Sequence, residues 1–266
     1  MKVPAEVPDD TVLGEGVLIH PTARINVTER FHIGAYTIIG EDVEISGRDV
    51  EIGQEGWLDR GARIGGGSCF EKQSEFRAGH FLHMGQDTFV NTARPVWIGD
   101  EVGLGTRTAI YTHGAYLSAL DGFPVAFAPV RIGSRVWMPG AIVNPGVTIG
   151  NDVVVGVNSL VTSDLPDGCL AAGSPAKIIR AKEYPRPLEG EAYDAFWMRF
   201  ASDYDIPMRL SVPRGSVVVG ETWFQLREQS IDGPADPETE RFRNQCRRYG
   251  IRFYARPVDG EYHIWQ

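Results

Sequence analysis

Apolar side chains recur at every sixth residue through the first two-thirds of this 266-residue chain. The longest unbroken run is Ile52, Leu58, Ile64, Phe70, Phe76 and Leu82. Shorter runs keep the step: Ile33, Ile39, Ile45; then Ile98, Leu104, Ile110; then Ile132, Met138; then Val143, Ile149, Val155, Val161. At 42% apolar composition, chance fills a six-position run about once in 180 trials at fixed phase. Gly follows nine of these eighteen positions, where 31 glycines in 266 residues predict about two. Neither the helical period nor strand alternation gives such a pattern. A unit of one short extended stretch and one sharp bend does, with one aliphatic side chain pointing inward and Gly relieving the adjacent bend. Three units close a triangle, and successive coils climb one strand spacing, about 4.8 Å. With Leu13, Ile19 and Ile25 the pattern predicts twenty-one units, or about seven coils. A sandwich of short strands would instead alternate with period two and turn every 8–12 residues.

The repeat is interrupted once at length and then ends. Between Ile110 and Ile132 it needs five residues, and the chain supplies residues 111–131, YTHGAYLSALDGFPVAFAPVR. Such an excursion is too long for a passive bend. It opens with Tyr111-Thr112-His113, and its apolar Leu120, Phe123, Val125 and Phe127 are expected to rest on a neighbouring subunit. After residue 184 the six-step vanishes. Residues 185–266, with net charge −2, read as a small α/β appendage. EAYDAFWMRFASDY predicts a helix, SVVVGETWFQL one or two strands, DPETERFRNQCRRYG a second helix, and IRFYARPVDGEYHIW a hairpin about Asp259-Gly260. About eighty residues make a small independent fold, and exposed aromatics on its strands predict docking on the coil or a partner. The expected organisation is therefore a β-helix domain over residues 1–184, carrying the loop 111–131, and an appendage over residues 185–266.

Composition narrows the chemistry. The balance of 26 Lys+Arg against 35 Asp+Glu gives a net charge of −9, which disfavours a nucleic-acid surface. Cys69, Cys169 and Cys246 are far apart and form no CxxC pair, so neither a disulfide framework nor a zinc ribbon is expected. The opening MKVPAEVPDD has no apolar core, and no stretch approaches eighteen apolar residues. No membrane span and a cytoplasmic location are the expectation. His80 and His83 flank the apolar Phe81-Leu82, and if Leu82 points inward they do not converge with His113 on one metal ion. No metal is expected. Residues 177–182, KIIRAK, gather three cations in an acidic chain and suit a phosphate-bearing ligand.

The repeat, the loop and above all VRIGSRVWMPGAIVNPGVTIGNDVVVGVNSLVTSDLPDGCLAAGSPAKIIR, residues 130–180, resemble the hexapeptide-repeat acyltransferases, in the galactoside, maltose and xenobiotic acetyltransferase branch. The resemblance covers about residues 12–182. It implies a mainly β fold, a left-handed parallel β-helix, with the hand supplied by the resemblance alone. It implies a homotrimer that transfers acetyl from acetyl-CoA to a sugar or saccharide hydroxyl. His113 matches the family's general base, and an alcohol at neutral pH needs such a base to attack a thioester. In that branch Lys177 and Arg180 correspond to residues near the nucleotide, Val157 and Thr162 line the pantetheine slot, and Trp137 buttresses it. Backbone groups at Gly140 and Ala141 would bond the pantetheine amides. His83, Gln86 and Asn91 fall where acceptor-contacting groups stand.

Two departures touch the donor side. The step from Met138 to Val143 is five residues, with Pro139 in place of the usual Gly, so the groups at Gly140 and Ala141 are expected to be displaced. Ser163 replaces a common Lys. N-acetylation of an amino-sugar or an antibiotic is the alternative reading. A silent scaffold and a γ-carbonic-anhydrase-like hydratase are the remaining ones, the last disfavoured because its paired zinc histidines stand five apart rather than three.

Overall fold

The computed structural model of the chain describes residues 5–211 and 215–265. Its contacts divide into two compact units, one ending at Arg186 and one beginning at Pro187.

In the first unit short parallel strands, most of two or three residues, stack coil upon coil to form a parallel β-helix of three faces. The register explains why six residues repeat. On the first face Leu13, Ile33, Ile52, Ala78, Ile98, Ile132 and Ile149 stand in one column. On the second, Ile19, Ile39, Leu58, Met84, Leu104 and Met138 are followed by Val155. On the third stand Ile25, Ile45, Ile64, Val90, Ile110, Val143 and Val161. These are seven coils, and from the second coil onward every one of these residues is at most 7% exposed. The three columns meet in one continuous apolar core. Among the described residues no helix is long and apolar enough to cross a membrane.

The fourth coil corrects the sequence reading. Its column residues are Ala78, Met84 and Val90, not Phe70, Phe76 and Leu82. Phe70 is 49% exposed. Phe76 and Leu82 are buried, but in a second inner layer two residues upstream of the columns, shared with Phe31, Val50 and Val96 on the first face and Val102 and Val136 on the second. From the third face to the next first face the chain takes six to eight residues in uninterrupted coils, as from Ile45 to Ile52, but fourteen from Ile64 to Ala78 and twenty-two from Ile110 to Ile132. About six extra residues keep the phase of a six-step and drop it onto the equally apolar upstream layer. A second excursion, residues 66–75, was thereby hidden in the pattern. It leaves from the same corner of the triangle as the excursion at 111–129.

Most glycines that follow column residues answer a different need from the one expected; of the nine counted above, only Gly65 takes a positive φ, 127°. Gly133 takes no left-handed φ, whereas Arg135 in the same bend does, at 55°. A Cβ at Gly133 would stand 2.6 Å from Asn151 Oδ1 and 2.8 Å from the Gly150 carbonyl carbon of the next coil. Close stacking of successive corners, rather than the bend itself, requires the missing side chain. Gly133→Ala is therefore expected to destabilise the first unit by about 1–3 kcal/mol through backbone displacement. Gly114→Ala, where an added Cβ meets nothing within 4 Å, is expected to leave stability within about 0.5 kcal/mol. Equal denaturation midpoints for the two variants would refute this account.

The second unit consists of helix α1 (Gly190–Tyr204), four antiparallel strands over residues 208–232, helix α2 (Pro237–Arg248) and a terminal hairpin, Ala255–Val258 with Glu261–Ile264. Asp259 and Gly260 both take positive φ at the hairpin turn, 51° and 84°, as a tight two-residue connection requires. Asp236 caps α2 by accepting from the Glu238 and Thr239 amides. Trp197, Phe200, Phe224, Phe242 and Phe253 form its core, so the aromatic richness of this segment is mostly interior.

Candidate active site

The corner between the third and first faces gathers both excursions and residues 91–95, and His113 stands there. Ile110 takes its place in the third column, Thr112 is fully buried, and the chain then leaves the coil as a hairpin in which His113 pairs with Phe127 and Gly114 with Ala126. The imidazole lies nearly parallel to the Phe127 ring, centroids 5.5 Å apart. Its Nδ1 is 2.8 Å from Asn91 Oδ1.

Asn91 decides the proton on that ring. It is 1% exposed, and its Nδ2 donates to the carbonyls of Gly65 at 3.3 Å and Gly67 at 3.2 Å. The other amide atom is thus the oxygen, which accepts from the Ala93 amide at 3.3 Å and lies 2.7 Å from Thr112 Oγ1. An amide oxygen only accepts, so His113 Nδ1 carries the hydrogen and Nε2 keeps a lone pair. On the Nε2 side is Gly67: a Cβ there would lie 3.8 Å from both Nε2 and Cε1. The ring is half-buried, with Gly67 beside its Nε2.

Beyond His113 the loop stands out from the coil. Residues 114–127 are exposed throughout, with Tyr116 and Leu120 each 98% exposed. So much apolar surface on one hairpin fits a surface covered in an assembly.

The other expected residues distribute over two further places. Trp137, 44% exposed, lays its indole against Gly103, whose absent Cβ would stand 2.4 Å from the ring, and reaches toward Gly105, where a Cβ would meet Pro139 at 2.7 Å and the ring at 3.2 Å. Glycine at both positions is what lets a tryptophan lie flat on the second face. Val157, 67% exposed, adjoins Gly140 at the corner between the second and third faces. The shortened step at Pro139 is absorbed within that corner: Gly140 takes φ 61°, and the columns continue in register through Met138 and Val143. Gly140 N–H donates to Thr108 Oγ1 at 3.1 Å, and the Ala141 carbonyl accepts from the Ala109 amide at 2.8 Å. Both groups are engaged by the coil itself. Thr162 is exposed on the third face, and Lys177 and Arg180 are exposed on the closing hairpin. Arg180 Nη1 is 3.2 Å from Glu183 Oε1, which also holds Arg186 at 2.8 Å.

His83 lies on the second face in the row with Trp57 and Gly103, its ring 5.7 Å from the Trp57 ring. Gln86 is exposed at the next corner. Neither is at the corner of His113; Asn91 is, but beneath the imidazole rather than on a wall, with both amide atoms engaged. His80 Nδ1 accepts from the Gln54 amide at 3.0 Å. Among the described residues no group of three or more His, Cys, Asp or Glu is arranged to hold a metal ion.

His113 and the pair Gly140 and Val157 thus stand at opposite ends of the third face, with Trp137 beyond the latter corner on the second face. At about 3.3 Å per extended residue they are separated by roughly 15–20 Å. One chain does not bring them together. Sequence reasoning missed Gly67 and Glu71 because it read residues 66–75 as regular repeat, although the triplet Gly65-Gly66-Gly67 and the polar run from Glu71 to Glu75 were available signals; Arg94, on residues 91–95, had no local signal.

This geometry defines a β-helix built on a six-residue repeat, with a histidine on a protruding hairpin whose Nδ1 is bonded to a buried amide oxygen. In sequence the chain is similar to the galactoside O-acetyltransferase of Escherichia coli (strain K12), 30% identical over 128 residues, which cover 45% of this chain and 63% of that protein. The chain therefore spans less than two thirds of the length of this relative. Among solved structures, a galactoside acetyltransferase in complex with coenzyme A shares 24% identity over 54% of this chain and 72% of its own, with a TM-score of 0.44. A polysialic acid O-acetyltransferase shares 18% over 71% and 98%, with a TM-score of 0.48. No protein-family model matches the chain.

Proposed function

We infer that the chain transfers an acetyl group from acetyl-CoA to a hydroxyl of a saccharide acceptor, with His113 as general base. The observation that carries this reading is the fixed tautomer: Nδ1–H is given to buried Asn91, and Nε2 faces the space beside Gly67. In the proposed reaction Nε2 takes the hydroxyl proton as the acceptor oxygen bonds to the thioester carbonyl carbon. The carbon–sulfur bond then breaks, and the imidazolium returns its proton to the departing thiolate. The products are an O-acetyl ester and free coenzyme A, with no covalent enzyme intermediate.

The relative's name supplies the acceptor class and the residue match supplies the donor slot. Trp137 on its glycine bed and exposed Val157 offer an apolar wall for pantetheine, with Thr162, Lys177 and Arg180 further along toward the phosphates. Because His113 and this wall stand a face apart, the reading requires a second copy of the chain to complete each site, in a homotrimer where the exposed hairpin covers a neighbour's slot.

Thiol release from acetyl-CoA across a panel of glycosides and amino-sugars tests the proposal. Ester formation on a glycoside is expected, and amide formation alone would replace O- by N-acetylation. Asn91 is read here as a positioning residue. Asn91→Leu is expected to lower kcat about 10–100-fold with little change in KM, since the ring loses its tautomer lock. Asn91→Asp restores the acceptor for Nδ1–H and is expected to recover much of the rate. Its negative charge favours imidazolium, so the rising limb of the pH–rate profile should move to higher pH. Asp no better than Leu, with no shift in the profile, would contradict the role.

A further inference from the structure

The excursion that the repeat pattern concealed brings Glu71 to Arg94, on residues 91–95, at the margin of this site. Arg94 Nη1 is 3.2 Å from Glu71 Oε2 and donates to the Ala93 carbonyl at 2.6 Å. The Arg94 guanidinium carbon lies 4.7 Å from the Phe127 centroid, the same ring that His113 stacks on at 5.5 Å. Guanidinium and imidazole are therefore within about 10 Å of each other, a span that a mono- or disaccharide bridges. Both partners are held from behind. The Arg94 amide donates to Thr112 Oγ1 at 3.0 Å, directly before the base. Glu71 sits four residues after Gly67, in turns closed by its amide to the Ser68 carbonyl at 3.2 Å and by the Ser74 amide to its own carbonyl at 2.8 Å. The two side chains remain accessible, 23% exposed for Arg94 and 49% for Glu71.

The geometry points to Glu71 and Arg94 as the pair that determines acceptor specificity, selecting an uncharged saccharide with adjacent hydroxyls and rejecting one that carries a carboxylate. A sugar hydroxyl both donates and accepts, and the pair offers one acceptor-only and one donor-only group side by side. The Glu71 carboxylate offsets the Arg94 charge, so the pair gives an incoming anion no net attraction while both groups keep the capacity to bond a hydroxyl. Phe127 adds an apolar ring beside the polar fork, the combination that suits a pyranose edge. This inference rests on the acetyl-transfer reading above.

The test compares full-length wild type, Glu71→Gln and His113→Ala with acetyl-CoA and two acceptors, a neutral glycoside and the matching glycoside of a uronic acid. Wild type is expected to favour the neutral acceptor by at least about tenfold in kcat/KM. Glu71→Gln is expected to raise KM for the neutral acceptor about tenfold and to raise kcat/KM for the uronide, while KM for acetyl-CoA and the melting temperature stay constant. A variant whose ratio of acceptors stays within twofold of wild type, or a wild type that favours the uronide, overturns the assignment while leaving acetyl transfer intact. Activity in wild type toward neither acceptor, or undiminished activity in His113→Ala, sinks the underlying reading and the assignment with it.

Discussion

Replacing His113 by alanine is expected to lower kcat/KM for the saccharide acceptor about a thousandfold, equivalent to about 4 kcal/mol of transition-state stabilisation. The size follows from what the ring does. Without Nε2 the acceptor hydroxyl keeps its proton while attacking, and no buried group nearby substitutes, because the Asn91 amide is engaged on both atoms. The loss should fall on kcat, with acetyl-CoA binding retained, since the candidate donor wall at Trp137 and Val157 stands at another corner. The half-buried ring contributes little to the column core, so the melting temperature should move by only a few degrees. A His113→Ala protein with wild-type kcat would remove the general base from the proposal. A wild type silent toward every hydroxyl and amine acceptor would favour a scaffold.

The second large effect concerns assembly. His113→Ala and Val157→Trp are each expected to be inactive alone, the first lacking the base and the second filling the exposed slot residue with an indole. Coexpressed in equal amounts, they are expected to regain about a quarter of wild-type activity. In a cyclic oligomer where each site takes its base from one copy and its donor wall from the next, random mixing leaves one site in four intact. If base and wall belonged to the same chain, every site would carry one lesion and no activity would return. Sedimentation of the mixture would confirm that the copies assemble. The measurement thus reads the face-wide separation of His113 from Val157 directly as function.

Much of the coil was legible because its periodicity has a physical cause: each unit of six puts one side chain into a column only a few ångströms wide, so an aliphatic residue recurs. The columns through Ile33, Ile98, Ile132 and Val161 were read correctly from that step alone. The fourth coil was misread for an equally physical reason. A column residue and the residue two upstream are both buried, so an insertion near six residues moves the count from one apolar layer to the other without a visible fault. The role of the glycines was misassigned because a sequence shows that Gly is needed but not whether torsion or clearance needs it. The long loop announced His113, but its partner did not announce itself. Asn91 meets His113 through the stacking of two coils twenty-odd residues apart, which no local spacing reports. The second unit's helices and hairpin were legible from caps, turn residues and apolar alternation.

Both excursions leave from one corner of the triangle, and the columns resume undisturbed after each. That corner behaves as a port: the stack tolerates segments of very different length there because neither its rise nor its interior passes through them. Chemistry at the port can accordingly change faster than the shaft that carries it. Grafting a foreign segment between Gly114 and Ala126, which keeps His113 and Phe127, should yield a folded protein with altered acceptor choice, whereas a graft at the second-to-third corner would interrupt the wall on which the donor is proposed to lie.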